Sequence, residues 1–161
     1  MCTALVLAFL LAWQGNPYND GLKALDEKRY DAAVEDFTKA IAADASDYTA
    51  HFNLALAYGL LRKDAEAAVE YRKTLELKPG LYQAQLNLGM LLVRDGQNAE
   101  AKTVLSAAVA QKPQEFRPNY LLGEALLGEK QPAEAEKLVT SALAIDPKSA
   151  AAELGLARAL A

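Results

Sequence analysis

The feature of this 161-residue chain that most limits its fold is a self-similarity with a period of 34 residues. Slid against itself by that period, the sequence lines up small residues at Gly21, Ala55, Gly89, Gly123 and Ala157. Leu54, Leu88, Leu122 and Leu156 stand just before this column, with Asp20 in the first unit. A second small column, Ala33, Ala67, Ala101 and Ala135, is followed four residues on by Phe37, Tyr71, Leu105 and Val139. A third, Ala40, Thr74, Ala108 and Ala142, is followed at once by Ile41, Leu75, Val109 and Leu143. Pro79, Pro113 and Pro147 close their units where the first has Ala45. So many columns in step, without an insertion, point to a stack of like units. Each is too small to bury its apolar face alone, so the core must run between neighbours.

Inside a unit the spacing is helical. Leu54, Tyr58 and Leu61 fall at intervals of four and three, as do Ala67, Tyr71 and Thr74 on the next segment. Asp64 and Asn98 suit the cap of the second helix, where a short side-chain oxygen accepts from free backbone N–H groups. Pro132 suits a first-turn position, and the unit-closing prolines stop the second helix from running on. The small columns let helices approach closely, and the larger residues four positions on fill the space beside them.

These residues resemble the tetratricopeptide repeat family. Its pattern is clearest in the second unit, with Leu54-Ala55, Tyr58, Ala67, Tyr71 and Pro79. The resemblance covers residues 14–161 as units 14–47, 48–81, 82–115 and 116–149 and a half unit 150–161. His51, Gln85 and Asn119 stand where the family often has Trp, and Pro17 does so in the first unit. The resemblance implies an all-α, right-handed superhelical solenoid of antiparallel helix pairs, whose first helices line a concave groove for peptides or protein segments. Some members clamp the carboxylates of chaperone tails with Lys, Asn and Arg. Across units one to three the clamp slots hold Tyr18, Leu22, Asn53, Gln83 and Asn87, and across units two to four Phe52, Leu56, Asn87, Arg117 and Leu121. Neither frame supplies paired cations, which disfavours a chaperone-tail adaptor.

Residues three or four positions off the core stripe of each first helix are expected on the inner surface. These are Tyr18, Asn19 and Leu22; Phe52, Asn53 and Leu56; Leu86, Asn87 and Met90; and Arg117, Tyr120 and Glu124. They form a largely apolar strip. Asn53 and Asn87 can hold a peptide backbone through their amides, and Arg117 can pair with a carboxylate. Two structural readings stay open beside this one: the asparagines serve neighbouring helices, and Tyr18, Phe52 and Tyr120 are partly buried between units. His51 reads as a surface or inter-repeat packing residue. A groove of this size suits micromolar affinity, about −8 kcal/mol.

Composition narrows the function classes. A net charge of −4, spread evenly along the chain, lacks the clustered Lys and Arg that nucleic-acid binding needs. Cys2 and His51 are the only residues of their kinds, too few for a zinc site or for a Cys–His nucleophile pair. No phosphate-cradling Gly-rich loop, G-x-S-x-G turn or His-Glu-x-x-His helix occurs. The expectation is a noncatalytic protein–protein interaction scaffold without cofactor or metal, binding a protein or peptide and no nucleic acid.

Both ends add expectations. Residues 1–13, MCTALVLAFLLAW, are too short to span a bilayer, which takes about 20 residues, but match the apolar part of a secretory signal at about 7–15. No Lys or Arg precedes them and no clean small-x-small site follows. They read as signal-peptide-like, touching the membrane only in transit, which places the protein in the periplasm or outside the cell, with the cytoplasm as the alternative. An N-terminal helix packed on the first repeat and an anchor with Trp13 at the interface are the other readings. In the half unit 150–161, Leu154, Leu156 and Leu160 leave an apolar outer face. That face supports the alternative function: a self-associating or spacer module of a longer envelope protein.

Overall fold

The computed structural model describes residues 15–161; the signal-like segment 1–13 lies outside them. Among the described residues there are nine helices and no strand. They are α1 (Pro17–Asp26), α2 (Tyr30–Ala43), α3 (Tyr48–Leu60), α4 (Asp64–Leu77), α5 (Tyr82–Arg94), α6 (Asn98–Gln111), α7 (Phe116–Gly128), α8 (Pro132–Ile145) and α9 (Ala150–Leu160). Odd-numbered helices open the repeats and even-numbered ones complete them. The chain divides into two compact units, one ending at Leu77 and the other running Lys78–Ala161.

Every hairpin closes in the same way. Lys28, Arg62, Gly96 and Lys130, at φ of 59°, 61°, 75° and 57°, turn the chain after the first helix in the left-handed region. The N–H of the next residue reaches back five positions, from Arg29 to Ala24, Lys63 to Tyr58, Gln97 to Leu92 and Gln131 to Leu126, at 2.8–2.9 Å. This closure satisfies carbonyls that the helix end would otherwise leave free. It also moves the expected caps. Ala67 N–H bonds to the Lys63 carbonyl and Ala101 N–H to that of Gln97, so Asp64 and Asn98 are the first helical residues rather than caps. The residue that completes the turn is already the cap. Asp64 there favours the positive end of the helix dipole. Pro132 occupies the first helical position of α8, as its missing N–H allows.

Loops between repeats are short and tied by side chains. Asp47 caps α3, accepting from Thr49 N–H at 2.8 Å and Ala50 N–H at 3.3 Å. Asn16 caps α1 and Ser149 caps α9 in the same fashion. The prolines at 79, 113 and 147 follow helices that end at Leu77, Gln111 and Ile145.

In the first unit α1 lies against α2, α2 against α3, and α3 against α4. Its core gathers Ala24, Ala33, Phe37, Leu54 and Ala57, flanked by Leu22, Leu25 and Tyr58. In the second unit α5 to α9 pack in chain order, and the first helices α5, α7 and α9 also touch one another in turn. Leu88, Leu92, Leu105 and Val139 are its largest fully buried side chains.

The first small column is where two helices meet. A Cβ on Gly21 would lie 2.8 Å from Phe37 Cε1, and one on Gly123 would lie 2.6 Å from Val139 Cγ2. A Cβ on Gly89 would collide with Leu105 Cγ and Cδ2. Each glycine thus receives the bulky residue of its own unit's second helix. Ala157 departs from the column and is exposed. The column faces a second helix of the same repeat, and among the described residues α9 has no such helix beside it. Gly155 takes the close contact instead, its Cβ direction pointing at Val139 of α8 and at Glu124.

Candidate functional site

In the first unit the sequence-named residues are Tyr18, Asn19 and Leu22 on α1 and Phe52, Asn53 and Leu56 on α3. Asn19 is exposed and the others are half-buried. The Tyr18 ring meets Phe37 edge-on at 5.8 Å, and Phe52 meets Tyr71 in the same way at 5.7 Å. Each aromatic therefore turns one side to the second helix and one side outward. Asn53 Nδ2 donates to the Tyr18 hydroxyl at 3.0 Å and to the Thr49 carbonyl at 2.9 Å. Its donor end ties α3 to α1.

In the second unit Leu86, Asn87 and Met90 on α5 are half-buried, and Arg117 on α7 is exposed. Tyr120 stacks on Phe116 at 5.6 Å with 11° between the rings. Burial pushes the Tyr120 phenol up, Glu124 adds to this, and Arg158 opposes it. Glu124 accepts from Arg158 Nη1 of α9 at 2.8 Å. Arg158 occupies in the half unit the register that Glu124 holds in the fourth. Leu154, the register partner of Tyr120, is 62% exposed. The sequence places Leu154 only on the apolar outer face of the half unit and leaves Arg158 aside, although the same period puts both in the register of the first-helix strip.

A denser polar cluster stands at the start of α5. The Tyr82 hydroxyl donates to Glu115 Oε2 at 2.6 Å, while Lys112 Nζ lies 4.2 Å above the Tyr82 ring and 2.9 Å from Glu115 Oε1. Burial, followed by the Glu115 hydrogen bond and charge, pushes the Tyr82 phenol up to about 12, with Arg117 opposing. The hydrogen bonds from Tyr82 and then Lys112 hold the Glu115 carboxyl low. Since the folded value lies above the ordinary phenol value, the stability that Tyr82 confers is complete below about pH 10 and fades as pH rises toward 12. In an ultraviolet phenolate titration of the folded protein, Tyr82 is expected to titrate near 12, and Glu115→Gln is expected to lower that midpoint. A midpoint unmoved by the substitution would leave burial as the sole cause.

His51, Gln85 and Asn119, which share the register where the family often has Trp, are 6%, 6% and 2% exposed. On the second helices, a furrow of about 300 Å³ between α6, α7 and α8 is lined by Lys102, Ser106, Leu122, Leu126, Glu134, Lys137 and Leu138. None of the sequence-named site residues lines it. Among the described residues no group of His, Cys, Asp and Glu is placed to hold a metal ion, and no helix is long and apolar enough to cross a membrane.

With this geometry in view, the sequence matches the Tetratricopeptide repeat family model over residues 18–82 and 86–150, most of the chain. The chain belongs to the tetratricopeptide repeat family. Solved structures share the fold. MamA (residues 41 to the end) from Desulfovibrio magneticus is 24% identical, with 89% of this chain and 81% of that one covered and a TM-score of 0.82. A tetratricopeptide repeat protein from Parabacteroides merdae is 19% identical, covering 89% and 57% at a TM-score of 0.76. PilF from Pseudomonas aeruginosa is 26% identical, covering 89% and 66% at 0.70. Among curated proteins no sequence matches the chain. Members of the family are generally noncatalytic, and as one of them this chain is a protein-interaction scaffold.

Proposed function

We propose that the chain binds an extended or helical segment of another protein along the exposed face that the first helices present within each of its two compact units. One observation carries this reading. At a single register the first helices hold Tyr18 and Phe52 in the first unit and Leu86, Tyr120 and Leu154 in the second, large side chains that their neighbours leave partly or wholly open. A buried core position at helical spacing would be closed on all sides, as Leu88 and Leu122 nearly are. Covering such a side chain fully contributes about 1.5–3 kcal/mol before ordering costs. Arg117, exposed at the start of α7, offers a planar guanidinium to a guest carboxylate. Asn53 serves this surface by fixing Tyr18, since its N–H groups are already given to Tyr18 and Thr49.

The test is selection of guests from a displayed peptide library, followed by titration of the best binders onto variants. Leu154→Glu and Arg117→Glu change exposed side chains and are expected to leave the Tm nearly unchanged. Together they are expected to weaken an apolar, acidic guest at least about tenfold. Selection that yields no binder, or binders indifferent to both changes, overturns the proposal. A second reading rests on Leu154 and Leu160 of α9, which are 62% and 65% exposed. If α9 docks a second copy, Leu160→Glu converts a dimer to a monomer in sedimentation while guest binding persists.

A further inference from the structure

We propose that the furrow between α6, α7 and α8 binds a small aromatic carboxylate. The ring lies over the leucines of the floor, and Lys137 and Lys102 hold the carboxylate from the rim. The furrow encloses about 300 Å³ and lies wholly within the second unit. An apolar cavity of roughly 150 Å³ already holds benzene, and small-ligand sites begin at about 300 Å³, so the space suits one ring with a short polar tail.

The first unit indicates what fills such a space. Two periods upstream of Leu126 stands Tyr58, and two periods upstream of Lys102 stands Val34. Both pack on the first unit's core of Phe37 and Leu54. Burial, then the charges of Glu70 and Glu66, pushes the Tyr58 phenol up, as befits a ring that reaches toward α4. Glu70 and Glu66 are the register counterparts of Leu138 and Glu134 on the α8 wall of the furrow. The first unit thus fills the space between its helices with a phenol of its own. In the second unit the same register holds Leu126, which is 2% exposed. A leucine completes the floor but is shorter than a tyrosine, and the furrow is the room left above it.

The rim sets the charge of the ligand. Lys102 and Lys137 outnumber the one carboxylate of the lining, Glu134. Glu134 stands in the first turn of α8, where the positive end of the helix favours it. Lys102 Nζ donates to Gln131 Oε1 at 2.8 Å, a neutral acceptor that leaves the ammonium charge uncancelled. Lys137 is exposed, and its ammonium makes no hydrogen bond or ion pair among the described residues. Val34 and Val69 hold these two registers in the first unit, so the unit that supplies its own ring lacks both cations. A neutral ring would use the floor alone, whereas an anion also meets the lysines in charge-assisted hydrogen bonds. No residue of the first-helix strip lines the furrow, so a guest segment there and an aromatic acid here do not compete.

The probe is hydrocinnamate, titrated onto the full chain and followed through the leucine methyl resonances. Leu122, Leu126 and Leu138 are expected to shift together and to reach half-saturation at or below about 1 mM, with Leu86 and Leu154 unmoved. Hydrocinnamide, which lacks the charge, and hexanoate, which lacks the ring, are each expected to bind at least about tenfold more weakly. Lys137→Gln changes an exposed side chain and is expected to narrow the gap between acid and amide to about threefold. Leu126→Tyr gives the second unit the residue of the first and is expected to abolish the shifts. Lys137→Gln decides the matter if that variant fails to fold. Equal binding of acid and amide overturns the proposal, as does hexanoate binding as tightly as hydrocinnamate. So do shifts that fail to saturate or that miss the three leucines. Tighter binding of N-acetyl-Gly-Gly-Phe, which carries the same ring and carboxylate on a peptide end, overturns it in favour of a chain terminus.

Discussion

Phe37→Ala is expected to destabilise the first unit by about 3–5 kcal/mol. The ring is fully buried, closes over the backbone at Gly21 and meets Tyr18 edge-on at 5.8 Å. Around it the core is largely Ala24, Ala33, Leu54 and Ala57. Alanines have no rotamer with which to lean into a void, so the vacated space stays open and the cavity cost adds to the lost transfer energy. Urea unfolding should show a lower midpoint with an unchanged slope, and amide exchange should lose protection first in α1 and α2. A loss below about 1 kcal/mol would mean that α1 settles onto α2 and refills the site.

Gly89→Val is the matching experiment in the second unit, with an expected cost of about 2–3 kcal/mol. It adds volume where Phe37→Ala removes it. A Cβ at position 89 meets Leu105 at its branch point, and Leu105 is fully buried, so neither partner has free space to turn into. The helix-propensity gain from replacing glycine, about 0.5–1 kcal/mol at most, is too small to offset the overlap. Leu105→Ala alone is expected to cost about 2–5 kcal/mol through its cavity. Combined with Gly89→Val it should cost less than the sum of the two, because the new side chain enters the space that leucine leaves. Additive losses in denaturant unfolding would show that the two positions do not share one space.

Periodicity carried most of the fold. A column repeated at helical spacing marks a core position whichever neighbour finally covers it, so Gly21, Gly89 and Gly123 and the bulky residues Phe37, Leu105 and Val139 were legible as contact positions. The caps were less legible. Asp64 and Asn98 have the chemistry of capping residues, but the left-handed turn before each had already made Lys63 and Gln97 the caps. Ala157 kept the pattern and lost the burial, because a column residue is buried only where a second helix stands beside it.

The candidate surface was legible by position and not by state. Register alone placed Tyr18, Phe52, Leu86 and Tyr120 on equivalent first-helix sites. It did not say that Phe37 and Tyr71 cover one side of the first two, or that the Asn53 amide is spent on Tyr18. It likewise did not show His51 between Glu70 and Ala45. A linear pattern with a fixed period states which residues are equivalent, since equivalence depends only on counting along the chain. Which atoms meet depends on distances between separate helices. Only folding brings together a ring on α3, a carboxylate nineteen residues later on α4 and a carbonyl in the preceding loop.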